Sequence, residues 1–381
     1  MPLADDRNEA PTDPADVLIV GAGIAGSMLA LVLGRAGRSV IVVDPRRAPT
    51  PLFRNEKLGT AQIALLEKLK ALACFEIGCW PGAEHPHAYP LHARPGLTDC
   101  GAPHQAWLKG VRAAWPNTVR FVEGVVDRLE LSDDLQRATT AGGATLTARL
   151  VVAATGRMPT LLASLGVEHR LISPGHSVCL GVSVTLATPQ PAVVIDAPPG
   201  SGVGYVSLFP MPGETRLNVF SYRALSDPWT RRMAADPLAC LSELDPRLAR
   251  ILDGARLLRG CEARGTDLYK AHGHRQAGLV LIGDAFHAPC PASGTGMLRI
   301  LNDVDRLANV HIPDWLDTPG MDRGKIDRFY ADPVKRRLDA ASLKSSLRGR
   351  ASVVAASPYW RLRRAAGVLK RTVLQEGRLA V

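Results

Sequence analysis

The sequence predicts an α/β fold: a parallel-sheet half, interrupted by a mostly antiparallel sheet and followed by C-terminal helices. Three observations predict it. A strand, glycine-rich loop, helix and second strand fill Asp16 to Asp44. Short strand-like runs divided by Pro- and Gly-containing turns occupy His176 to Tyr222. Buried-strand character then returns at Leu279 to Ile282.

The first unit is the most informative. Val17-Leu18-Ile19-Val20 is a fully apolar run of the kind buried on both faces of a parallel sheet. Gly21-Ala22-Gly23-Ile24-Ala25-Gly26 follows at once; Met28, Leu29, Val32 and Leu33 recur at helical spacing, and Ser39 to Val43 is a second strand ending at Asp44. The first two glycines permit a tight turn and bring backbone N–H groups against a pyrophosphate. The third lets the helix pack close to the strand, and the helix N-terminus adds positive potential. Asp44 stands where a carboxylate accepts hydrogen bonds from a ribose diol. Strand, helix, second strand and terminal acid together define a dinucleotide site.

Farther along, Val119 to Leu131 reads as a strand pair, and Leu150 to Ala154 as a buried strand ending in Thr155-Gly156. Ser177 to Leu186, Gly204 to Phe209 and Arg216 to Tyr222 are the runs of the antiparallel sheet. From Arg323 onward the pattern is helical. There Tyr359, Trp360, Leu362, Ala366, Val368 and Leu369 mix with Arg361, Arg363, Arg364, Lys370 and Arg371. Such a basic amphipathic stretch either touches a membrane peripherally or packs its apolar stripe on the body with its arginines solvated, and the second reading is preferred.

Composition sets the outer bounds. The 381 residues suit two intimately packed domains, and 46% hydrophobic with 22% charged residues is ordinary for a globular protein. No apolar run is long enough to span a membrane, and residues 1–15 read as a disordered leader without a signal-peptide core. The seven scattered cysteines contain no C-x-x-C pair, so neither a disulfide framework nor a zinc site is expected, which fits a cytoplasmic setting. His85, His87 and His92 lack ligand periodicity, and no metal is expected there. A net charge of +10 without a nucleic-acid-binding motif favours an anionic dinucleotide, an acidic substrate or a membrane surface over nucleic acid.

A second motif names a family. Gly283-Asp284-Ala285-Phe286-His287, then Pro291, Gly294-Thr295-Gly296 and Asp303, closely resembles the second FAD fingerprint of the group A flavoprotein monooxygenases, the para-hydroxybenzoate hydroxylase-like family. With the N-terminal unit, the resemblance covers roughly residues 16 to 310. It implies an FAD-binding Rossmann-like (GR2-type) domain with an inserted substrate sheet. The segments are FAD-binding parts at 16–80, 104–170 and 271–322, substrate-domain parts at 81–103 and 171–270, and a helical region at 323–381.

The resemblance also implies roles. Gly21, Ala22, Gly23, Ile24, Ala25, Gly26 and Asp44 form the first FAD fingerprint, and Gly283, Asp284, Gly294, Thr295, Gly296 and Met297 the second. Arg54, His104 or Gln105, Val126 and Gly156 are further cofactor positions, and Pro291 faces flavin ring and substrate. Phe209, Phe220 and Tyr222 are candidate substrate contacts on the sheet. The implied activity is hydroxylation of an aromatic or other electron-rich molecule through a flavin C4a-hydroperoxide, with NADPH or NADH and O2.

The chain departs from the family at the middle motif. It reads Thr155-Gly156-Arg157-Met158-Pro159 without the usual aspartate, and has Leu162 where an arginine is common; Leu298 replaces a common asparagine. These changes bear on direct reduction by NAD(P)H. A flavin-dependent halogenase is an alternative, but no W-x-W-x-I-P motif is present. A flavin oxidoreductase acting on a lipid or isoprenoid without oxygen insertion is a second, and a non-enzymatic FAD-binding module a third. The oligomeric state is not encoded in any visible motif.

Overall fold

A computed structural model describes residues 13–49, 55–74, 100–157, 160–190, 193–211 and 213–364. Strand β1 (Ala15–Val20), helix α1 (Ile24–Arg35) and strand β2 (Val40–Asp44) form the opening βαβ unit. Residues Ile24 to Gly34 of α1 are all buried, which is why its sequence shows no polar stripe. Strands β3 (Asn55–Leu58) and β4 (Cys100–Pro103) pair antiparallel, and α2 (Thr60–Lys68) and α3 (His104–Ala113) follow them. Next come β5 (Val119–Glu123), β6 (Val126–Glu130), β7 (Gln136–Thr140), β8 (Thr145–Ala153) and the short α4 (Thr160–Ala163).

These strands build a seven-stranded sheet in the order β5-β2-β1-β8-β7-β6, with β14 (Leu279–Leu281) also pairing β8 in parallel. The two strands expected between Val119 and Leu131 are present, but they do not pair with each other. β5 joins β2 in parallel, whereas β6 forms a hairpin with β7. The turn at Gly124–Val125 thus carries the chain to the opposite edge of the sheet, a connection that strand periodicity cannot reveal.

The inserted sheet is six-stranded and antiparallel. It comprises β9 (Glu168–Thr185), β10 (Val193–Asp196), β11 (Val203–Met211), β12 (Glu214–Ser221), β13 (Arg256–His272) and β15 (His287–Ala288), in the order β10-β11-β12-β9-β13-β15. One face carries Leu180, Val182, Val206, Leu208, Leu217 and Val219, packed with Met233, Leu241 and Leu248 of three short helices. Those helices, α5 (Pro228–Ala235), α6 (Pro237–Leu244) and α7 (Pro246–Ile251), each start with an Asp-Pro pair. Asp227, Asp236 and Asp245 each accept a backbone N–H from the first turn, and proline supplies the preset φ at the first helical position. Each such cap contributes on the order of 1 kcal/mol.

After the sheet come α8 (Gly296–Arg306), α9 (Ile312–Leu316), α10 (Arg323–Ala331) and α11 (Pro333–Val354). A buried ionic network ties α11 to α8. Lys335 Nζ lies 2.7 Å from Asp303 Oδ1, Arg299 Nε lies 2.8 Å from Asp339 Oδ1, and Asp303 Oδ2 accepts the Gly283 N–H at 3.3 Å. Burial alone would raise the Asp339 carboxyl, but Lys335 and Arg299 hold it below the usual carboxylate range. Among the described residues no helix is long and apolar enough to cross a membrane.

His287 sits beside this network, 2% exposed, with neither ring nitrogen hydrogen-bonded. Burial, with the Arg299 guanidinium nearby, pushes its imidazole down to about 3. An unfolded histidine titrates near pH 6.5, so below that value the unfolded chain binds a proton that the folded chain refuses. Stability is therefore fully present above about pH 6.5 and falls by about 1.4 kcal/mol per pH unit as the pH drops toward the folded value. Urea midpoints should be lower at pH 5 than at pH 7, and His287→Gln should shrink that gap; an unchanged gap would place the acid sensitivity elsewhere.

Candidate active site

The loop between β1 and α1 is shaped by two glycines. Gly21 adopts φ +104°, a region that favours glycine, and a Cβ there would lie 2.5 Å from the Ala154 carbonyl oxygen. At Gly26 a Cβ would collide with the Gly21 carbonyl oxygen and touch Ile19 and Ala154, so the third glycine of the motif permits close helix–strand packing. Gly23 differs: a Cβ there meets nothing within 4 Å. Its open side faces a cavity of about 860 Å³.

That cavity is bounded by three parts of the chain. Gly21, Ala22, Gly23 and Asp44 form one wall, and Val126, Thr155, Gly156 and Arg157 a second. Cys179 of β9, with Arg264, Gly265 and Thr266 of β13, brings the inserted sheet to the third, and Pro291 closes it. Asp44 organises the loop: its carboxylate accepts the Ala22 N–H and the Arg46 N–H, both at 2.9 Å.

Arg112 is a site residue that the sequence reading missed. Its guanidinium donates to the carbonyls of Ala22 and of Arg47, the latter at 2.7 Å, and lines the cavity. Burial lowers its pKa, an effect that nearby Asp44 opposes. His104, Leu108 and Arg112 recur every four residues along α3 and all three line the cavity, so helical spacing could have found it. Gln105 points elsewhere and donates to the Pro49 carbonyl at 3.2 Å.

Apart from Pro291, no residue of the second fingerprint lines the cavity; Asp284 approaches it only through Arg157. Gly283 takes φ +60° in a tight turn, and Asp284 Oδ2 lies 3.5 Å from Nε of the lining Arg157. Gly294 is left-handed at φ +64°, and Gly296 opens α8. Thr295 Oγ1 shares hydrogen bonds with Ser293 and Ser342, while Met297 is buried. Ile24, Ala25 and Gly26 are buried in the first turn of α1 and do not line the cavity. Leu162 is core. Arg54 and the histidines at 85, 87 and 92 fall outside the described residues.

Of the three sheet aromatics, none lines the cavity, but Phe220 stands in a row that reaches it. Register places Tyr205, Phe220, Cys179 and Arg264 side by side across β11, β12, β9 and β13. The Tyr205 and Phe220 rings lie 4.6 Å apart, and the Tyr205 hydroxyl donates to the Ala292 carbonyl beside Pro291. Phe209 lies four residues farther along β11. Tyr222 packs against Leu268 and Cys290, where burial pushes its hydroxyl well above the usual phenol range.

The glycine loop and the cavity it borders belong to an FAD-binding domain, and FAD is its cofactor. Residues 14–75 match the FAD binding domain family. The chain is 28% identical to ubiquinone hydroxylase UbiL of Rhodospirillum rubrum over 319 residues, covering 77% of this chain and 71% of that protein. It is 26% identical to squalene monooxygenase of Rattus norvegicus over 363 residues, covering 84% of this chain but only 59% of the relative. The structure of p-nitrophenol 4-monooxygenase PnpA from Pseudomonas putida DLL-E4 superposes with a TM-score of 0.70 at 18% identity, covering 96% of this chain and 98% of that one.

The two glycines should separate folding from cofactor retention. Gly26→Ala is expected to lower the melting temperature of the apoprotein, because backbone must shift. Gly23→Ala should leave that temperature unchanged yet weaken FAD binding by about tenfold or more, read by flavin fluorescence on dilution. Equal effects of both on the apoprotein would contradict the open space seen at Gly23.

Proposed function

We propose that the protein hydroxylates an electron-rich organic molecule of isoprenoid or aromatic character, using NAD(P)H and O2. One observation carries this reading: a single cavity runs from the dinucleotide loop to the inserted sheet. A cofactor held at the Gly21–Gly23 loop would share this cavity with Pro291, Arg264 and Cys179. The names of the curated relatives, ubiquinone hydroxylase and squalene monooxygenase, support an apolar, isoprenoid-related substrate.

In this reading the N–H groups at the Gly21–Gly23 loop and the N-terminus of α1 hold the pyrophosphate, and Asp44 accepts from the adenosine ribose. Arg112 fixes the loop backbone, and Val126 supplies backbone to the adenine. Asp284 and Arg157 would hold the ribityl chain, and the turn from Gly294 to Gly296 would offer the N-terminus of α8 to the flavin. His104 and Gly156 complete the cofactor wall. Bound FAD supplies the redox and oxygen-activating chemistry. The protein's own contribution is orientation and exclusion of water, with Cys179 and Pro291 on the cavity wall and Phe220 and Tyr205 behind Cys179 in the same row.

Anaerobic stopped-flow absorbance of the FAD-loaded protein tests the proposal. Mixing with NADPH or NADH should bleach the flavin, and a prenylated phenol or quinol should accelerate the bleaching at least tenfold. No reduction by either nicotinamide with any member of a phenol, quinol and polyene panel would sink the proposal and assign the electrons to an external reductase.

A further inference from the structure

Over its described part, residues 358–364, the C-terminal basic stretch departs from its preferred sequence reading; Ala366, Val368, Leu369, Lys370 and Arg371 lie outside the described residues. Its apolar side chains were expected to pack on the body with the arginines outward. Instead Tyr359 is 58% and Leu362 76% exposed, while Arg364 turns inward and donates to the Ser352 and Ala355 carbonyls. These two hydrogen bonds hold the helical turn at residues 358–364 against the C-terminal end of α11. On α11 itself, Leu347 and Val354, one heptad apart and so on one face, are 41% and 43% exposed. A neighbouring side of α11 is committed to the protein through Lys335, Ser342 and Ser346.

Charge within this segment has one sign, although Asp196 of β10 shares a cavity wall with Arg348, Trp360 and Arg363. From Ala340 to Gln375 the chain has no aspartate or glutamate, and Lys344, Arg348, Arg361 and Arg363 are exposed among the described residues. Arg363 stacks over Tyr359 and Trp360 at 5.8 and 5.9 Å and donates to the Tyr359 hydroxyl at 3.0 Å. An arginine held on an aromatic edge keeps its charge at the level where a ring enters a lipid interface. An acidic protein groove would need opposing carboxylates at fixed positions, whereas a lipid surface asks only for apolar side chains ringed by cations.

We propose that α11 beyond Lys344 and the turn at 358–364 form a peripheral docking surface for an anionic lipid membrane. Leu347, Val354, Tyr359 and Leu362 enter the interface, and Lys344, Arg348, Arg361 and Arg363 meet the headgroups. Each cation near an anionic leaflet multiplies affinity by about fivefold at low salt, and the gain shrinks with ionic strength.

Vesicle co-sedimentation of the full-length, FAD-loaded protein tests this without reference to turnover, so failure here is separable from failure of the proposed reaction. Vesicles of phosphatidylcholine alone are compared with vesicles partly replaced by phosphatidylglycerol. Binding to the anionic vesicles is expected to be at least tenfold tighter and to weaken as salt is raised. Tyr359→Asp with Leu362→Asp should cost a further tenfold or more, with flavin absorbance and melting temperature unchanged as the folding control. Arg361→Glu with Arg363→Glu should erase the preference for phosphatidylglycerol. No binding to anionic vesicles overturns the proposal. So does binding that both pairs of substitutions leave unchanged, since that attraction would then come from the overall +10 charge and not from this surface.

Discussion

The space that a methyl group would take at residue 26 is filled by the Gly21 carbonyl oxygen, and the rest of the cofactor half is arranged around that contact. Because α1 can approach so closely, its N-terminus reaches the ends of β1 and β8 together. Gly21 donates to the Val43 carbonyl and Ala154 to the Val20 carbonyl, both at 2.8 Å, so the tips of β1, β2 and β8 are tied to one point. Asp44 and Arg112 then grip the loop from either side, one accepting the Ala22 N–H and the other donating to the Ala22 carbonyl. With these groups occupied by protein, the unfilled side of Gly23 is the direction left for a ligand.

The second fingerprint is held by a different kind of force. Asp303 spends one oxygen on Lys335 and the other on the Gly283 N–H, and Asp339 bridges Lys335 and Arg299. Charges this deeply buried gain little net stability over an apolar packing, but removing one partner strands the others at a cost of about 3–5 kcal/mol. What the network contributes is position. It fixes α11 against the turn that carries Asp284, so the edge of the cavity depends on a helix that contributes no residue to it. Ser342 and Ser346 extend the same attachment through Thr295 and the Cys290 N–H.

How much of this was legible follows from how local each signal is. The glycine loop and Asp44 are set by neighbours in sequence and are readable from spacing, and they line the cavity; the Gly283-Asp284 turn was read from the family resemblance and does not line it. Arg112 was equally readable, at the end of the series His104, Leu108 and Arg112, but a single position at the helix start drew attention away from the face as a whole. The three helices over the sheet announce themselves in Asp227-Pro228, Asp236-Pro237 and Asp245-Pro246, pairs that went unread among strand-like runs. The row from Tyr205 to Arg264 could not be read. It depends on the pairing of β9 with β13, whose register shifts several times between Leu257 and Tyr269.

The basic balance of the chain also acquires a location. Arg46, Arg112, Arg157 and Arg264 line the cavity against Asp44 and Asp127. An anionic dinucleotide therefore enters a field of opposite sign, strongest where apolar walls limit screening. The carboxylate that could spoil this field, Asp284, is turned toward Arg157. A second accumulation sits at the C-terminal end, where acidic residues are absent and the cations stand beside exposed apolar side chains. Among the described residues these two accumulations differ in their surroundings: one lines the cavity, and the other stands beside exposed apolar side chains.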